Sequence, residues 1–111
     1  MAFRQKQYYQ QVYHVTEQIP VGRVSTYGAI ADYLALGSAR MVGYALSQSN
    51  ANNMPVPAHR VVNRKGELSG RHHFRPPSAM QELLESEGVK VEDHQVVDFS
   101  ELFWHPEALE A

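Results

Sequence analysis

The sequence predicts a mainly α-helical fold with a small β wing, in a single domain covering residues 1–111. The length suits one modest hydrophobic core, four segments carry apolar residues at helical spacing, and the extended segments between them are short. No apolar run approaches the roughly 20 residues of a transmembrane helix, so no membrane association is expected. The chain contains no cysteine, which excludes disulfides and thiolate chemistry. Together with an N-terminus unlike a signal peptide, this favours a cytoplasmic location.

The first helix is predicted over residues 3–19. Its apolar side chains recur three or four residues apart and would form one stripe: Tyr8, Val12, Val15 and Ile19. Pro20 and Gly22 end it, because proline cannot continue the hydrogen-bond ladder and glycine relaxes the turn.

The second helix is predicted over residues 27–36, with Ser25 or Thr26 as its N-cap. Its buried side would carry Ile30, Tyr33 and Leu34. Gly37 ends it. A glycine-containing turn between two short helices is typical of a helix-turn-helix.

The third helix, capped by Ser38 and running from residue 39 to about residue 49, would be the recognition helix of this motif. Its apolar side comprises Met41, Val42, Ala45 and Leu46, and its other side Arg40, Gly43, Tyr44 and Ser47. A mid-helix glycine costs about 1 kcal/mol relative to alanine. A groove-facing position would explain it, since bulk there would block the approach of DNA. The alternative is a surface helix with an indifferent glycine.

A cation-rich turn at residues 63–66, flanked by residues 60–62 and 67–68, predicts a hairpin that forms the wing. The domain is therefore expected to be a winged helix-turn-helix. A basic, flexible loop follows at residues 69–75.

The fourth helix is predicted to open at Ser78, which has capping-box spacing to Gln81, and to close at about Glu87 before Gly88. Its expected core positions are Met80, Leu83 and Leu84. The C-terminal tail, about residues 89–111, is expected to form a hairpin or an extended return over residues 89–97 and to pack its aromatic side chains on the domain.

The charges are strongly segregated along the chain. Residues 1–75 contain nine Lys or Arg and three acids, a balance of +6, whereas residues 76–111 contain one Lys and nine acids, a balance of −8. A basic body with an acidic tail is typical of a body that binds nucleic acid. Chance segregation on a solvated surface is the alternative.

The least ordinary run is residues 55–62, in which two prolines precede Ala58, His59 and Arg60. A histidine can act as acid, base or orienter, but no nucleophile precedes it here. A metal site made by His59 with His72 and His73 is not expected, because the usual zinc-enzyme spacings are missing. No metal and no cofactor are therefore predicted.

With these motifs in hand, the chain resembles the C-terminal, DNA-binding domain of the alkylguanine-DNA alkyltransferases. The resemblance is closest to the alkyltransferase-like proteins, the non-enzymatic branch of that family, and runs from about residue 4 to residue 88. It rests on residues 19–28 (IPVGRVSTYG), 39–43 (ARMVG), 56–62 (VPAHRVV) and 83–88 (LLESEG).

The resemblance implies a lesion pocket. Ala58 occupies the position of the alkyl-accepting cysteine, and His59 and Glu87 match the pair that activates the thiolate in the alkyltransferases. Asn50 matches an asparagine of that active site. Arg71 falls where the alkyltransferase-like proteins place a lid arginine against the extruded base.

The resemblance also implies a DNA-binding surface. Arg40 matches an arginine finger that fills the space left by a flipped guanine, and Tyr27 matches a tyrosine that helps to rotate the nucleotide out. Gly43 would lie on a recognition helix that enters the minor groove. Ser47 and Arg60 complete the expected DNA contacts.

The function that follows is binding of double-stranded DNA containing O6-alkylguanine, with nucleotide flipping and without alkyl transfer, because alanine has no nucleophile. The expected partners are the damage-recognition proteins of nucleotide excision repair, and the protein is expected to be a monomer, associated with the nucleoid when bound. Two alternatives stay open at this point: a repair enzyme that acts hydrolytically on the lesion, and a winged-helix transcription regulator.

Overall fold

The computed structural model describes residues 2–110 and, within the first helix, the side chains from Tyr8 onward. Within these residues the regular elements are α1 (Ala2–Glu17), β1 (Ser25–Thr26), α2 (Tyr27–Tyr33), α3 (Ala39–Ala51), β2 (Val61–Val62), α4 (Ser78–Ser86), β3 (Val91–Glu92), β4 (Gln95–Val96) and α5 (Phe99–Leu102). Short 3-10 turns lie at Ala58–Arg60, Arg71–His73 and Pro106–Glu110. The predicted mainly helical architecture is confirmed. In this part of the chain no helix combines the length and apolar character needed to cross a membrane.

The two helices of the predicted helix-turn-helix, α2 and α3, pack against each other. Thr26 is the N-cap of α2, and its side-chain oxygen accepts a hydrogen bond from the Ala29 N–H at 3.0 Å. This bond satisfies one of the free donors at the helix start. Ser38 occupies the same position before α3 but makes no side-chain capping bond.

The end of α2 differs from the prediction, since the helix stops at Tyr33 and Gly37 is not its terminator. Ala35 adopts the left-handed conformation, with φ of 56°. The Leu36 N–H then donates to the Ala31 carbonyl at 2.9 Å, as in a Schellman motif. Alanine accepts this unfavourable backbone conformation because the motif satisfies the last carbonyls of the helix.

The larger hydrophobic cluster joins α1, α2 and α3 to the segment that leads into β2. It includes Val12, Val15, Ile19, Ile30, Val42, Ala45, Leu46, Val56, Ala58, Val61 and Trp104. Val12, Val15 and Ile19 are at most 2% exposed, which confirms the predicted stripe of α1. Burial of each such side chain contributes about 1.5–3 kcal/mol. Trp104 brings the C-terminal tail onto this core, as expected.

The wing is not the hairpin that the sequence predicts. Strand β2 pairs in parallel with β1, with Ser25 opposite Val61 and Thr26 opposite Val62. The turn at residues 63–66 does form, since the Asn63 Oδ1 accepts hydrogen bonds from the Lys65 and Glu67 N–H groups. The parallel pair places the start of α2 beside the turn Ala58–Arg60, which immediately precedes β2.

A second hydrophobic cluster lies between α4 and the hairpin β3–β4. It comprises Val24, Val62, Leu68, Met80, Leu84, Val89, Val91 and Val96. The hairpin pairs Val91 with Val96 and confirms the predicted return over residues 89–97. Gly88, with φ of 88°, terminates α4, and Glu87 is the C-cap residue. The C-terminal end of α4 therefore fixes the position of the Glu87 side chain.

Two predictions about α4 are wrong. The helix does begin at Ser78, but Pro77 occupies the N-cap position and Ser78 makes no capping bond. Leu83 is 43% exposed, whereas Met80 and Leu84 are fully buried. Leu83 therefore faces away from the core and toward a cavity described below.

Candidate nucleic-acid interface and pocket

An open cleft of about 480 Å³, here called the α3 cleft, lies between α3 and the loop that carries the turn Arg71–His73. Its lining residues are Tyr27, Ala39, Arg40, Gly43, Tyr44, Ser47, Ser69, Gly70 and His73. Arg40 and Tyr44 are exposed, so the outer side of α3 is free, as predicted. The loop is more ordered than predicted, since the Phe74 N–H donates to the Arg71 carbonyl at 3.0 Å.

Tyr27, at the start of α2, is held in this cleft by close packing on Gly70. A β-carbon at Gly70 would lie 2.5 Å from the Tyr27 hydroxyl oxygen, so no larger residue fits without moving the ring. At Gly43 a β-carbon would lie 3.8 Å from the ring carbons, which is an ordinary contact. Burial raises the pKa of Tyr27, and this effect outweighs a hydrogen bond with Ser69 that lowers it. The phenol is therefore a neutral, rigidly placed group.

A second cavity, the His59 cavity, has a volume of about 420 Å³. Its lining residues are Asn50, Asn53, Met54, Val56, His59, His73, Phe74, Arg75, Ala79 and Leu83. His73 lines this cavity and the α3 cleft, so the two spaces adjoin. Met54 and Leu83 are 40% and 43% exposed, and both lie on its wall. A mixed wall of this kind suits a ligand that combines an aromatic ring with polar edges.

Glu87 joins His59 and Arg60 into one buried network. The His59 Nε2 lies 2.8 Å from the Glu87 Oε2, and the Arg60 Nε and Nη2 donate to Oε1 and Oε2 of Glu87 at 3.0 and 2.8 Å. Burial would raise the pKa of Glu87, but the hydrogen bonds from Arg60 and His59 outweigh it and lower the pKa to about 2. Glu87 is therefore ionised at neutral pH.

His59 is neutral in this network. Burial lowers its pKa, and the positive charge of Arg60 acts in the same direction. The hydrogen bond and charge of Glu87 raise the pKa but are outweighed. A neutral imidazole that donates from Nε2 to a carboxylate leaves Nδ1 as an acceptor. Such a pair can orient a group or take a proton from an adjacent nucleophile.

The residue next to this imidazole supplies no nucleophile. Ala58 begins the 3-10 turn Ala58–Arg60 and is 4% exposed. Its methyl group belongs to the main hydrophobic cluster. Among residues 2–110, no three His, Asp or Glu side chains come together as metal ligands. The arrangement can hold a ligand beside His59, but Ala58 has no atom that could form a covalent bond to it.

The comparisons with known proteins agree with this geometry. The family model described as 6-O-methylguanine DNA methyltransferase, DNA binding domain, matches residues 7–89. Alkyltransferase-like protein 1 of Schizosaccharomyces pombe is 35% identical over 108 residues, covering 93% of this chain and 99% of that protein. The chain belongs to this family, in its alkyltransferase-like branch. The DNA base-flipping protein of Vibrio parahaemolyticus is 35% identical over 105 residues, covering 90% and 98%.

Solved structures extend the likeness to the fold. The crystal structure of S. pombe Atl1 in complex with damaged DNA containing O6-carboxymethylguanine matches with a TM-score of 0.80 and 34% identity, covering 91% of this chain and 97% of that one. Mycobacterium tuberculosis OGT in complex with DNA matches with a TM-score of 0.59 and 35% identity, covering 72% and 48%. The predicted helix-turn-helix fold of this family is therefore confirmed.

Within this family fold, two of the five residues expected in the lesion pocket, Asn50 and His59, line the His59 cavity. Glu87 and Ala58 do not line it: Glu87 lies behind His59 and is bonded to it, and Ala58 is buried in the main hydrophobic cluster. Arg71 is not brought to this cavity. It lines another one with His72 and Leu68, and its Nη1 donates to the Leu68 carbonyl at 3.0 Å.

Of the expected DNA contacts, Tyr27, Arg40, Gly43 and Ser47 all line the α3 cleft. Arg60 does not line this cleft. Its side chain is 14% exposed, and besides both oxygens of Glu87 it binds the Ile19 carbonyl through Nη1 at 2.9 Å. Arg60 is therefore a structural cation that fixes Glu87.

Sequence reasoning missed several residues of the His59 cavity, namely Met54, His73, Phe74, Arg75 and Leu83. The sequence predicts His73 only as part of a basic, flexible loop, although it borders both spaces. No local sequence pattern indicates these residues. Met54 and Leu83 stand out only in the folded structure, where they are apolar and exposed.

Proposed function

We propose that this protein binds duplex DNA containing an O6-alkylated guanine, extrudes the modified nucleotide and holds it without transferring the alkyl group. The observation that carries the proposal is the adjacency of the α3 cleft and the His59 cavity, which share His73. A nucleotide extruded from a duplex in the α3 cleft can therefore reach the His59 cavity.

Extrusion of a base costs a few kcal/mol of stacking and pairing, and less for an alkylated guanine, which pairs poorly. Arg40 is exposed at the first turn of α3, from which a long cationic side chain reaches the base stack. Tyr27 is fixed beside it by Gly70. An exposed cation and a rigid aromatic group are the parts that such an extrusion needs.

Binding without transfer follows from the chemistry at Ala58. Transfer of an alkyl group from guanine O6 requires a nucleophile that accepts it, and the chain has neither a side chain of this kind at position 58 nor any cysteine. His59 then acts as a polar wall residue of the cavity, and Glu87 holds it from behind. The crystal structure of S. pombe Atl1, which is 34% identical, holds damaged DNA containing O6-carboxymethylguanine. This supports the same class of ligand here.

The proposal includes a signalling role. A protein that binds a lesion and cannot remove it contributes to survival only if another repair system is directed to the site, and damage-recognition proteins of nucleotide excision repair are the proposed partners. The protein would act in the cytoplasm, at the nucleoid, as a monomer.

Nucleotide extrusion is tested with a fluorescent base analogue placed beside the alkylated guanine. Wild-type protein should raise the fluorescence on binding, and Arg40→Ala should bind more weakly and reduce this rise at saturation. Arg64→Ala, an exposed cation in the turn at residues 63–66 and outside the α3 cleft, is the matched control. Equal fluorescence for wild type and Arg40→Ala would exclude the finger assignment.

The hydrolytic alternative is separated by product analysis. Excess protein is incubated with the alkylated duplex, and the nucleosides are then identified. Our proposal requires that O6-alkylguanine is recovered in full. Time-dependent loss of the alkyl group or of the base would instead establish an enzyme that uses water.

The transcription-regulator alternative is separated by selection from random duplexes without lesions. A regulator enriches a preferred sequence through base contacts. The proposed lesion binder enriches none, because its affinity for unmodified DNA comes from backbone contacts.

A further inference from the structure

Tyr44 is a large aromatic side chain that the fold leaves in solvent. It is 57% exposed on the open side of α3. It lies one helical turn after Arg40 and lines the α3 cleft together with Tyr27 and Ser47. Tyr44 is not a member of the hydrophobic core among the residues that the structure describes.

The exposed ring is nevertheless braced from behind. Its centroid lies 6.0 Å from that of Tyr9 on α1, and the Tyr9 ring in turn lies 4.9 Å from Tyr8, edge to face. Such aromatic contacts prefer tilted or edge-to-face geometry. Tyr44 is therefore restrained in the free protein, and a ligand would not have to immobilise it.

Two further bonds fix the backbone on either side of Tyr44. The Tyr8 hydroxyl donates to the Met41 carbonyl at 2.9 Å, and the Tyr13 hydroxyl donates to the Ala45 carbonyl at 2.8 Å. Both acceptors belong to α3, and both donors belong to α1. The tyrosines of α1 thus hold the segment of α3 from which Tyr44 projects.

We infer that Tyr44, braced by Tyr9, contacts the sugar-phosphate backbone of bound DNA, so that the interface extends from α3 onto α1. The inference rests on the proposed function, because it needs a duplex in the α3 cleft. In the part of the chain that the structure describes, Tyr44 lines this cleft and does not line the His59 cavity. It therefore contacts the stacked duplex and not the extruded base.

The chemistry of the pair suits a phosphate. Phenol hydroxyls are hydrogen-bond donors to backbone oxygens, and a rigid tyrosine offers a large contact area at low entropic cost. Burial, with help from the neighbouring Tyr44 phenol, raises the pKa of Tyr9 to about 12. The hydroxyl of Tyr9 therefore keeps its proton, and no negative charge forms beside the DNA.

The test compares Tyr44→Ala and Tyr44→Phe with wild type in titrations of alkylated and unmodified duplexes. We expect Tyr44→Ala to bind both duplexes about tenfold more weakly and Tyr44→Phe about threefold more weakly, the latter from loss of one hydrogen bond. Because tyrosine is neutral, it releases no counterions, and the slope of log K against log salt should not change. Tyr33→Phe is the matched control, since the Tyr33 hydroxyl binds Glu110 at a different surface.

Three results would overturn the inference: wild-type affinity in both variants, a loss confined to the alkylated duplex, or a changed salt slope. Tyr44→Phe keeps the ring, so it reports on the hydroxyl even if Tyr44→Ala is less well folded. If wild type binds both duplexes equally, the proposed function fails. A uniform loss in the Tyr44 variants would still establish the backbone contact.

Discussion

Replacing Glu87 by glutamine tests the charge network behind His59. The pKa of Glu87 is about 2 in the folded protein against 4.5 ordinarily. At about 1.36 kcal/mol per pKa unit, this gap corresponds to about 3 kcal/mol of folding free energy. The side chain is only 13% exposed, so solvent screens the interaction weakly. The attraction between Glu87 and Arg60 is already contained in this figure, because Arg60 is one of the groups that lower the pKa of Glu87.

The pH dependence follows from the sign of the shift. The folded pKa is lower than the unfolded one, so the stabilisation is complete above pH 4.5 and is lost as the pH falls from 4.5 to about 2. Glu87→Gln should therefore be about 3 kcal/mol less stable than wild type at neutral pH. The difference should shrink steadily below pH 4.5.

Urea unfolding measures the loss of stability at neutral pH and its change with pH. It is followed by the fluorescence of Trp104, which is the only tryptophan and is buried in the core. Glu82→Gln, which neutralises an exposed carboxylate on the same helix, is the matched control and should stay within about 0.5 kcal/mol of wild type. A Glu87→Gln variant as stable as this control at neutral pH would refute the reasoning. So would a stability difference from wild type that is unchanged at about pH 3.

Three further substitutions test the site. Gly43→Ala should keep the thermal stability of wild type or raise it by up to about 1 kcal/mol, because the added methyl makes only ordinary contacts with Tyr27. The same variant should bind DNA more weakly in a titration. Unchanged affinity would contradict a groove-facing Gly43. Gly70→Ala would place a β-carbon 2.5 Å from the Tyr27 hydroxyl oxygen. We therefore expect the free energy of unfolding, measured with a chemical denaturant, to fall by about 1–3 kcal/mol and nucleotide extrusion to weaken. Wild-type values would show that Tyr27 is not fixed by this contact. Ala58→Cys supplies a thiol next to the intact His59–Glu87 pair, and intact-mass measurement should detect slow transfer of a methyl group to it; an unchanged mass would mean that the pair no longer activates a nucleophile.

Local patterns in the sequence were sufficient for much of the fold. The helical stripe of α1 was predicted from neighbouring residues. The cap of α2 was narrowed to Ser25 or Thr26, and residues 89–97 to a hairpin or an extended return; the structure has Thr26 and the hairpin. The site depended on the family motifs instead. No local pattern near Ala58 indicates that Glu87, 28 residues beyond His59, bonds to that histidine.

The wrong predictions concern choices that local pattern does not decide. A cation-rich turn indicates a hairpin, but Val61 and Val62 are fully buried by pairing with β1, and burial outweighs the local preference. Arg60 was expected to contact DNA, and no local pattern indicates its ion pair with Glu87. Leu83 fits a helical core stripe by spacing, yet it lines the His59 cavity.

The most direct test of the central claim is a titration of the wild-type protein against two duplexes that differ only in one O6-alkyl group on guanine. The lower cost of extruding a poorly paired base predicts tighter binding to the alkylated duplex, in any surrounding sequence, with the alkyl group still present when the complex is recovered. Equal affinity for the two duplexes would contradict the account.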